Sequence, residues 1–180
     1  GKALTAGNEQ GSIGRNRHAE RQTRLWIAAE HGALGDSRRA IDSYRTLIAD
    51  CQDSVPVRSE AYRAGAKLLL AVGDHSQAID WLEHALALHE KFPSGRAGIQ
   101  IQLGTTYALL GEPARAFERL DQALAGVRPS ENAANVGPLE LLAEAGIAYG
   151  VAGRPEKAVV CFTQGAAAAR AASQAHHEAR

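Results

Sequence analysis

The 180-residue chain balances 20 lysines and arginines against 20 aspartates and glutamates, and this zero formal net charge argues against a nucleic-acid binder held by phosphate contacts. Hydrophobic residues make up 45% of the chain and aromatics only 5%, as expected where helices pack closely through small side chains. No run of 18 apolar residues is present, so the sequence encodes no membrane-spanning helix.

Residues 1–16 are rich in Gly, Asn, Ser and Thr without helical period, and read as a flexible lead-in or cloning remnant ahead of a helical domain at 17–180. The chain has no methionine, which fits a segment of a larger protein. Arg15, Arg17, Arg21 and Arg24 form the one basic cluster, and with Glu20 and Glu30 interleaved it reads as a solvated helix face. From Gly35 onward one pattern returns. Gly35-Asp36-x-x-x-Ala40-Ile41-x-x-Tyr44 is followed by Gly73-Asp74-x-x-x-Ala78-Ile79-x-x-Leu82, Gly111-Glu112-x-x-x-Ala116-Phe117-x-x-Leu120 and Gly153-Arg154-x-x-x-Ala158-Val159-x-x-Phe162. The glycines lie 38, 38 and 42 residues apart, a period that signals stacked supersecondary units.

In the first unit Ala40, Ile41, Tyr44, Leu47 and Ile48 recur at i, i+1, i+4, i+7 and i+8, the stripe of an amphipathic helix. Asp36 or Ser37 caps it. The second unit repeats the stripe with Ala78, Ile79, Leu82, Ala85 and Leu86, and Asp74 with Gln77 forms a capping pair. In the third and fourth units Pro113 and Pro155 fall in a first turn, where a missing N–H is harmless. Ahead of each glycine runs another helix, with small residues Ala28, Ala66, Gly104 and Gly146 followed by His31, Leu69, Tyr107 and Tyr149. Small residues let paired helices approach closely, while Tyr107, Tyr149 and Phe162 fill the gaps between pairs. The units run over about 17–52, 56–91, 94–128 and 133–172. Gly126–Pro138, the longest interruption, reads as either a partner-contacting loop or a passive linker. After the alanine-rich run Ala166–Ala172 no convincing capping helix follows, so the apolar end face reads either as a homodimer contact through the C-terminal helix pair or as a face covered by residues outside this segment.

These residues resemble the tetratricopeptide-repeat family, which places a small residue and an aromatic on the first helix, Gly in the turn, and Ala and an aromatic on the second. Gly104, Tyr107, Gly111 and Ala116, then Gly146, Tyr149, Gly153, Ala158 and Phe162, carry the closest match, and the resemblance spans about residues 18–172. The period exceeds the usual one of about 34 residues, His31 and Leu69 replace the expected aromatic, and no closing proline is present. Units of this length are similar to those of bacterial regulatory proteins and motor light chains. The resemblance implies an all-α fold, a right-handed α-solenoid of about four antiparallel helix pairs.

Chemical machinery is scarce. No Gly-x-Ser-x-Gly elbow or His-Glu-x-x-His helix occurs, Gly1-Lys2-Ala3 lacks the rest of a phosphate loop, and Glu140 with Glu144 sits at ordinary helix-surface spacing. His84 and His89 face different sides of a helix, while His176, His177 and Glu178 offer only adventitious chelation near the C-terminus. Neither metal, cofactor nor catalysis is expected. Cys51 and Cys161 belong to distant units and read as reduced thiols of a cytoplasmic protein.

The resemblance further implies that the first helices line a concave groove. Stepping back ten, six and three residues from each turn glycine gives Leu25, Ala29 and Gly32; Arg63, Lys67 and Leu70; Ile101, Thr105 and Ala108; and Ala143, Ile147 and Gly150, with Gln102 and Glu144 at the rim. Ala29, Thr105 and Ile147 stand where a carboxylate clamp would need asparagine. The expected partner is therefore a protein or peptide segment with an apolar face, with Arg63 and Lys67 selecting an acidic neighbour. Direct nucleic-acid and membrane contacts are not expected. The leading functional reading is a non-catalytic interaction domain, the regulatory portion of a larger bacterial signalling or transcription-regulatory protein. The alternative is a ligand-sensing module that binds a small peptide or metabolite in the groove and controls an attached effector domain.

Overall fold

The computed structural model describes residues 2–90, 95–126 and 137–178, all organised as helices and tight turns. In chain order these are α1 (Lys2–Ala33), α2 (Ser37–Asp50), α3 (Val55–Ala71), α4 (His75–Leu88), α5 (Arg96–Leu109), α6 (Pro113–Gly126), α7 (Gly137–Val151) and α8 (Pro155–Glu178). The chain divides into two compact units, Gly1–Leu88 and His89–Arg180. Most of the Gly126–Pro138 interruption lies outside the described residues.

Each helix pair is closed by the same turn. Gly35, Gly73, Gly111 and Gly153 adopt φ of 82°, 85°, 74° and 81°, a conformation that a Cβ disfavours. At the first turn the Gly35 amide donates to the Gly32 carbonyl at 3.1 Å and the Asp36 amide to the His31 carbonyl at 2.9 Å, the double bond of a Schellman ending. The other turns repeat it through Asp74 to Leu69, Glu112 to Tyr107 and Arg154 to Tyr149. Each residue after the glycine then opens the next helix, accepting from the amides of Ala40, Ala78, Ala116 and Ala158, all at 3.1 Å. Asp36 is the cap of α2, its carboxylate accepting from the Arg39 amide at 3.2 Å. Asp74 likewise accepts from the Gln77 amide at 3.1 Å, but the Gln77 side chain does not return the bond. It accepts instead from Arg45 at 2.7 Å. Pro113 and Pro155 begin α6 and α8.

In the first unit α1 packs on α2, α2 on α3 and α3 on α4, and α1 also touches α3. Its core joins Leu25 and Ala28 to Tyr44 and Leu47 of α2, Tyr62 and Ala66 of α3, and Trp81 and Leu82 of α4. In the second unit α5 pairs with α6 and α7 with α8, and α7 covers both α5 and α6. One core there unites Ile101, Leu120, Ala123, Ala145, Ala148, Tyr149, Ala158 and Cys161. A leucine buried as fully as Leu82 or Leu120 contributes about 1.5–3 kcal/mol by leaving water. Both cysteines are buried and free.

Two features differ from the sequence expectation. Residues 2–16 belong to α1 instead of forming an irregular lead-in. Apolar periodicity reports a buried face and not helicity as such, and a helix already nucleated extends at one hydrogen bond per added residue. Phe162, expected to fill a gap as Tyr107 and Tyr149 do, stands 46% exposed.

Close approach depends on missing side chains. A Cβ on Gly65 would lie 2.1 Å from the Trp81 ring, one on Gly104 would lie 2.7 Å from Leu120, and one on Gly146 would lie 2.7 Å from Phe162. Trp81 and Leu120 are buried and cannot retreat, whereas the half-open Phe162 ring can swing outward. Gly65→Ala and Gly104→Ala should each destabilise the protein by about 1–3 kcal/mol, and Gly146→Ala by clearly less. Thermal unfolding followed by circular dichroism checks the ranking. Equal losses at all three would mean that Phe162 is held as firmly as Leu120.

Candidate partner-binding surface

The hairpin register decides which first-helix residues face water. Within the first unit, Ala29 on α1 and its register equivalent Lys67 on α3 are both exposed, and Arg63 and Leu70 are half-buried beside Lys67. Arg63 pairs with Glu60 one turn back at 3.3 Å. Within the second unit, Gln102 and Thr105 of α5 are half-buried, and Ala143, Glu144 and Ile147 of α7 are exposed. The Thr105 hydroxyl donates to the Ile101 carbonyl at 2.9 Å, a local bond within the helix.

Leu25 and Ile101 need correction as groove residues, because both are buried in the cores of their own units. The residue ten before the glycine is buried at Leu25 and Ile101, half-buried at Arg63 and exposed at Ala143. Two residues absent from the sequence-based set join the surface instead. Leu109 on α5 and Val151 on α7, each two before its turn glycine, are 55% and 49% exposed, alongside Ile147 at 60%. They lie one helical turn beyond Thr105 and Ile147, so the i, i+4 rule could have found them. Since α5 and α7 touch, Thr105, Leu109, Ile147 and Val151 form one largely aliphatic strip. Trp26, 71% exposed on α1, adds a large apolar side chain to the first unit's surface.

Consecutive pairs are also bound by a recurring polar tie. Ten residues after one turn glycine and four after the next stand Arg45 with Gln77 in the first unit and Asp121 with Lys157 in the second, the latter bridged at 2.6 Å. The Tyr149 hydroxyl also donates to Asp121. Lys157 lies 5.2 Å over the Tyr149 ring, as Arg115 lies 4.3 Å over the equivalent Tyr107. Burial, then the bond to Asp121, pushes the Tyr149 hydroxyl well above its ordinary pKa. For Asp121 burial opposes ionisation, but the bonds from Lys157 and Tyr149 and the charges of Lys157 and Arg154 outweigh it and hold the carboxyl low. Among the described residues no group of three His, Cys, Asp or Glu could hold a metal, and no helix is long and apolar enough to cross a membrane.

Identical glycine turns, paired helices in fixed register and a repeated tie between pairs define a helix–turn–helix repeat protein. By sequence, no family model matches the chain and no curated protein does. By structure, it is similar to MamA, with a TM-score of 0.59 at 21% identity over 86% of this chain and 81% of that one. The TPR-like repeats of a Podosopora anserina kinesin light chain give 0.64 at 22% identity over 81% and 73%. A thermophilic TPR protein of Thermus thermophilus gives 0.59 at 26% identity over 83% and 74%. The chain has the fold of tetratricopeptide-repeat proteins.

A carboxyl whose pKa falls on folding contributes stability that is present above its unfolded value of about 3.9 and is lost as pH drops through the lower folded value. The Asp121 side chain is 53% exposed, so its pair with Lys157 contributes about 0.2–1 kcal/mol. Asp121→Asn should lower the melting temperature slightly at neutral pH and match the wild type in strong acid, which a pH series of melting curves tests. A difference unchanged into strong acid would trace the loss to packing instead.

Proposed function

We propose that this chain is a non-catalytic protein-interaction module, the regulatory portion of a larger bacterial signalling or transcription-regulatory protein acting in the cytoplasm. It takes up an amphipathic helical segment of a protein partner. One observation carries the reading. Leu109, Ile147 and Val151 stand open on adjacent first helices, in register, where no described element of the second unit covers them. Aliphatic side chains aligned at i, i+4 on two touching helices offer a ridged strip that a third helix fills with its own apolar face. Separately, Lys67 and Arg63 make the first unit's own first-helix face basic, which favours an acidic segment there. Protein neighbours built on TPR repeats support the same assignment. Self-association through the C-terminal helix pair belongs to it too, through a separate apolar face between α7 and α8.

A second reading rests on a separate cleft. Arg38, Ile41, Asp42, Arg45, Leu69 and Val72 line a hollow of about 420 Å³ in the first unit, within the size range of small-molecule sites. Ligand sensing would use this hollow beside the turns, away from the first-helix faces named from sequence. A metabolite acting there should raise the melting temperature of the isolated chain.

Selection of helical peptides from a displayed library, followed by fluorescence anisotropy, tests the first reading. Selected peptides should be amphipathic with acidic residues. Ile147→Glu with Val151→Glu should weaken capture of apolar-faced peptides by the second unit, and Arg63→Glu with Lys67→Glu capture of acidic peptides by the first, each about tenfold or more, equivalent to about 1.4 kcal/mol, with helicity unchanged. Binding that both double variants leave intact would remove the assignment.

A further inference from the structure

The second unit demonstrates on its own helices how its end face is used. Adding 42 to a residue number in α5 or α6 gives its register equivalent in α7 or α8, because Gly111 corresponds to Gly153. On the α5–α6 pair Ile101, Phe117, Leu120, Ala123 and Leu124 form the face that Ala145, Ala148 and Tyr149 of α7 cover. Their equivalents are Ala143, Val159, Phe162, Gly165 and Ala166. Leu120 is 0% exposed and Phe162 46%; Ile101 is buried and Ala143 open. The uncovered residues border an apolar cleft of about 220 Å³ between α7 and α8, walled by Leu139, Ala143, Phe162, Gly165, Ala166 and Ala169. This face thus has the register and the small-residue relief of a surface that a helix pair covers elsewhere in the same unit.

The charges beside the cleft identify the occupant. Glu140 and Glu144 follow Leu139 and Ala143 on α7, and Arg170 follows Ala169 on α8. All three are exposed, and among the described residues none makes an ion pair. Gly165 lies against Leu142 in the antiparallel pair, so Glu140 and Arg170 stand near the same end of the hairpin. A two-fold rotation about an axis along the helices lays α7 of one copy antiparallel on α8 of the other. It brings Glu140 of each copy toward Arg170 of its mate, twice, with Glu144 one turn further along. Such self-complementarity is what an isologous contact needs. A chain of zero net charge opposes the approach of its own copy with no long-range repulsion.

We propose that the α7–α8 face is a two-fold interface between two copies of this chain, in which Phe162 of each copy enters the cleft of the other and Glu140 pairs with Arg170 across the axis. The inference deepens the interaction reading by naming one partner, and it uses a face separate from the Leu109–Ile147–Val151 strip.

Sedimentation and light scattering of the chain across a concentration series test it. The expected result is a monomer–dimer equilibrium ending at twice the chain mass, with a melting temperature that rises with concentration. Ala166→Glu, an exposed helix position, should weaken the dimer about tenfold or more with unchanged circular dichroism. Glu140→Arg or Arg170→Glu alone should weaken it, and the two together should restore it. A monomer at all concentrations, masses growing beyond the dimer as in head-to-tail stacking, or single reversals that the double reversal fails to rescue would each overturn the proposal. A monomer that still binds the selected peptides would sink this interface alone, while a dimer that binds none would leave it standing and remove the peptide-binding strip.

Discussion

A glycine in the left-handed conformation ends the first helix of every pair, and the rest of the molecule follows from how that ending is made. Its two closing hydrogen bonds use backbone groups alone, and the residue after the glycine starts the next helix with its own carbonyl. The turn therefore fixes the direction of the second helix relative to the first before any side chain packs. Once the direction is set, the residues seven before and five after the glycine face each other, and both must be small. Ala28 with Ala40, Ala66 with Ala78, and Gly104 with Ala116 meet that demand, and all are buried.

Packing then divides the work among positions. Inside a pair, small residues permit contact; between pairs, large ones supply buried area. Tyr44, Tyr107 and Tyr149 are fully buried with their rings between helices, and cations close over two of them. The polar tie from Arg45 to Gln77, or from Lys157 to Asp121, adds direction more than energy, since exposed pairs are screened by solvent. What remains for recognition is the set of positions that neither kind of packing uses. On α5 and α7 these are Leu109 and Val151, two before the glycine, and on α7 also Ile147, six before it, and there the side chains are open.

The helix pairs were legible from sequence because buried stripes and glycine turns both repeat, and each repeat checks the others. Asp36 as a cap and Pro113 and Pro155 as first-turn residues followed from local chemistry that tertiary packing does not override. The site was only partly legible. A fixed count back from the glycine treats all first helices alike, yet burial at a given count depends on whether another pair follows. Ile101 is therefore buried and Ala143 open at the same register position. Leu109 and Val151 escaped notice because aliphatic residues near a turn look like core in one dimension. Helix through residues 2–16 was invisible because apolar periodicity marks burial and not helicity as such.

Because four turns are written in main-chain atoms, each hairpin is an interchangeable module whose junction is indifferent to what its neighbours are made of. Asp, Asp, Glu and Arg all occupy the residue after the glycine without changing the closure. Evolution can thus duplicate, delete or reshuffle such a hairpin as a whole, and tune its outer faces toward new companions, while the joint that holds it upright stays the same.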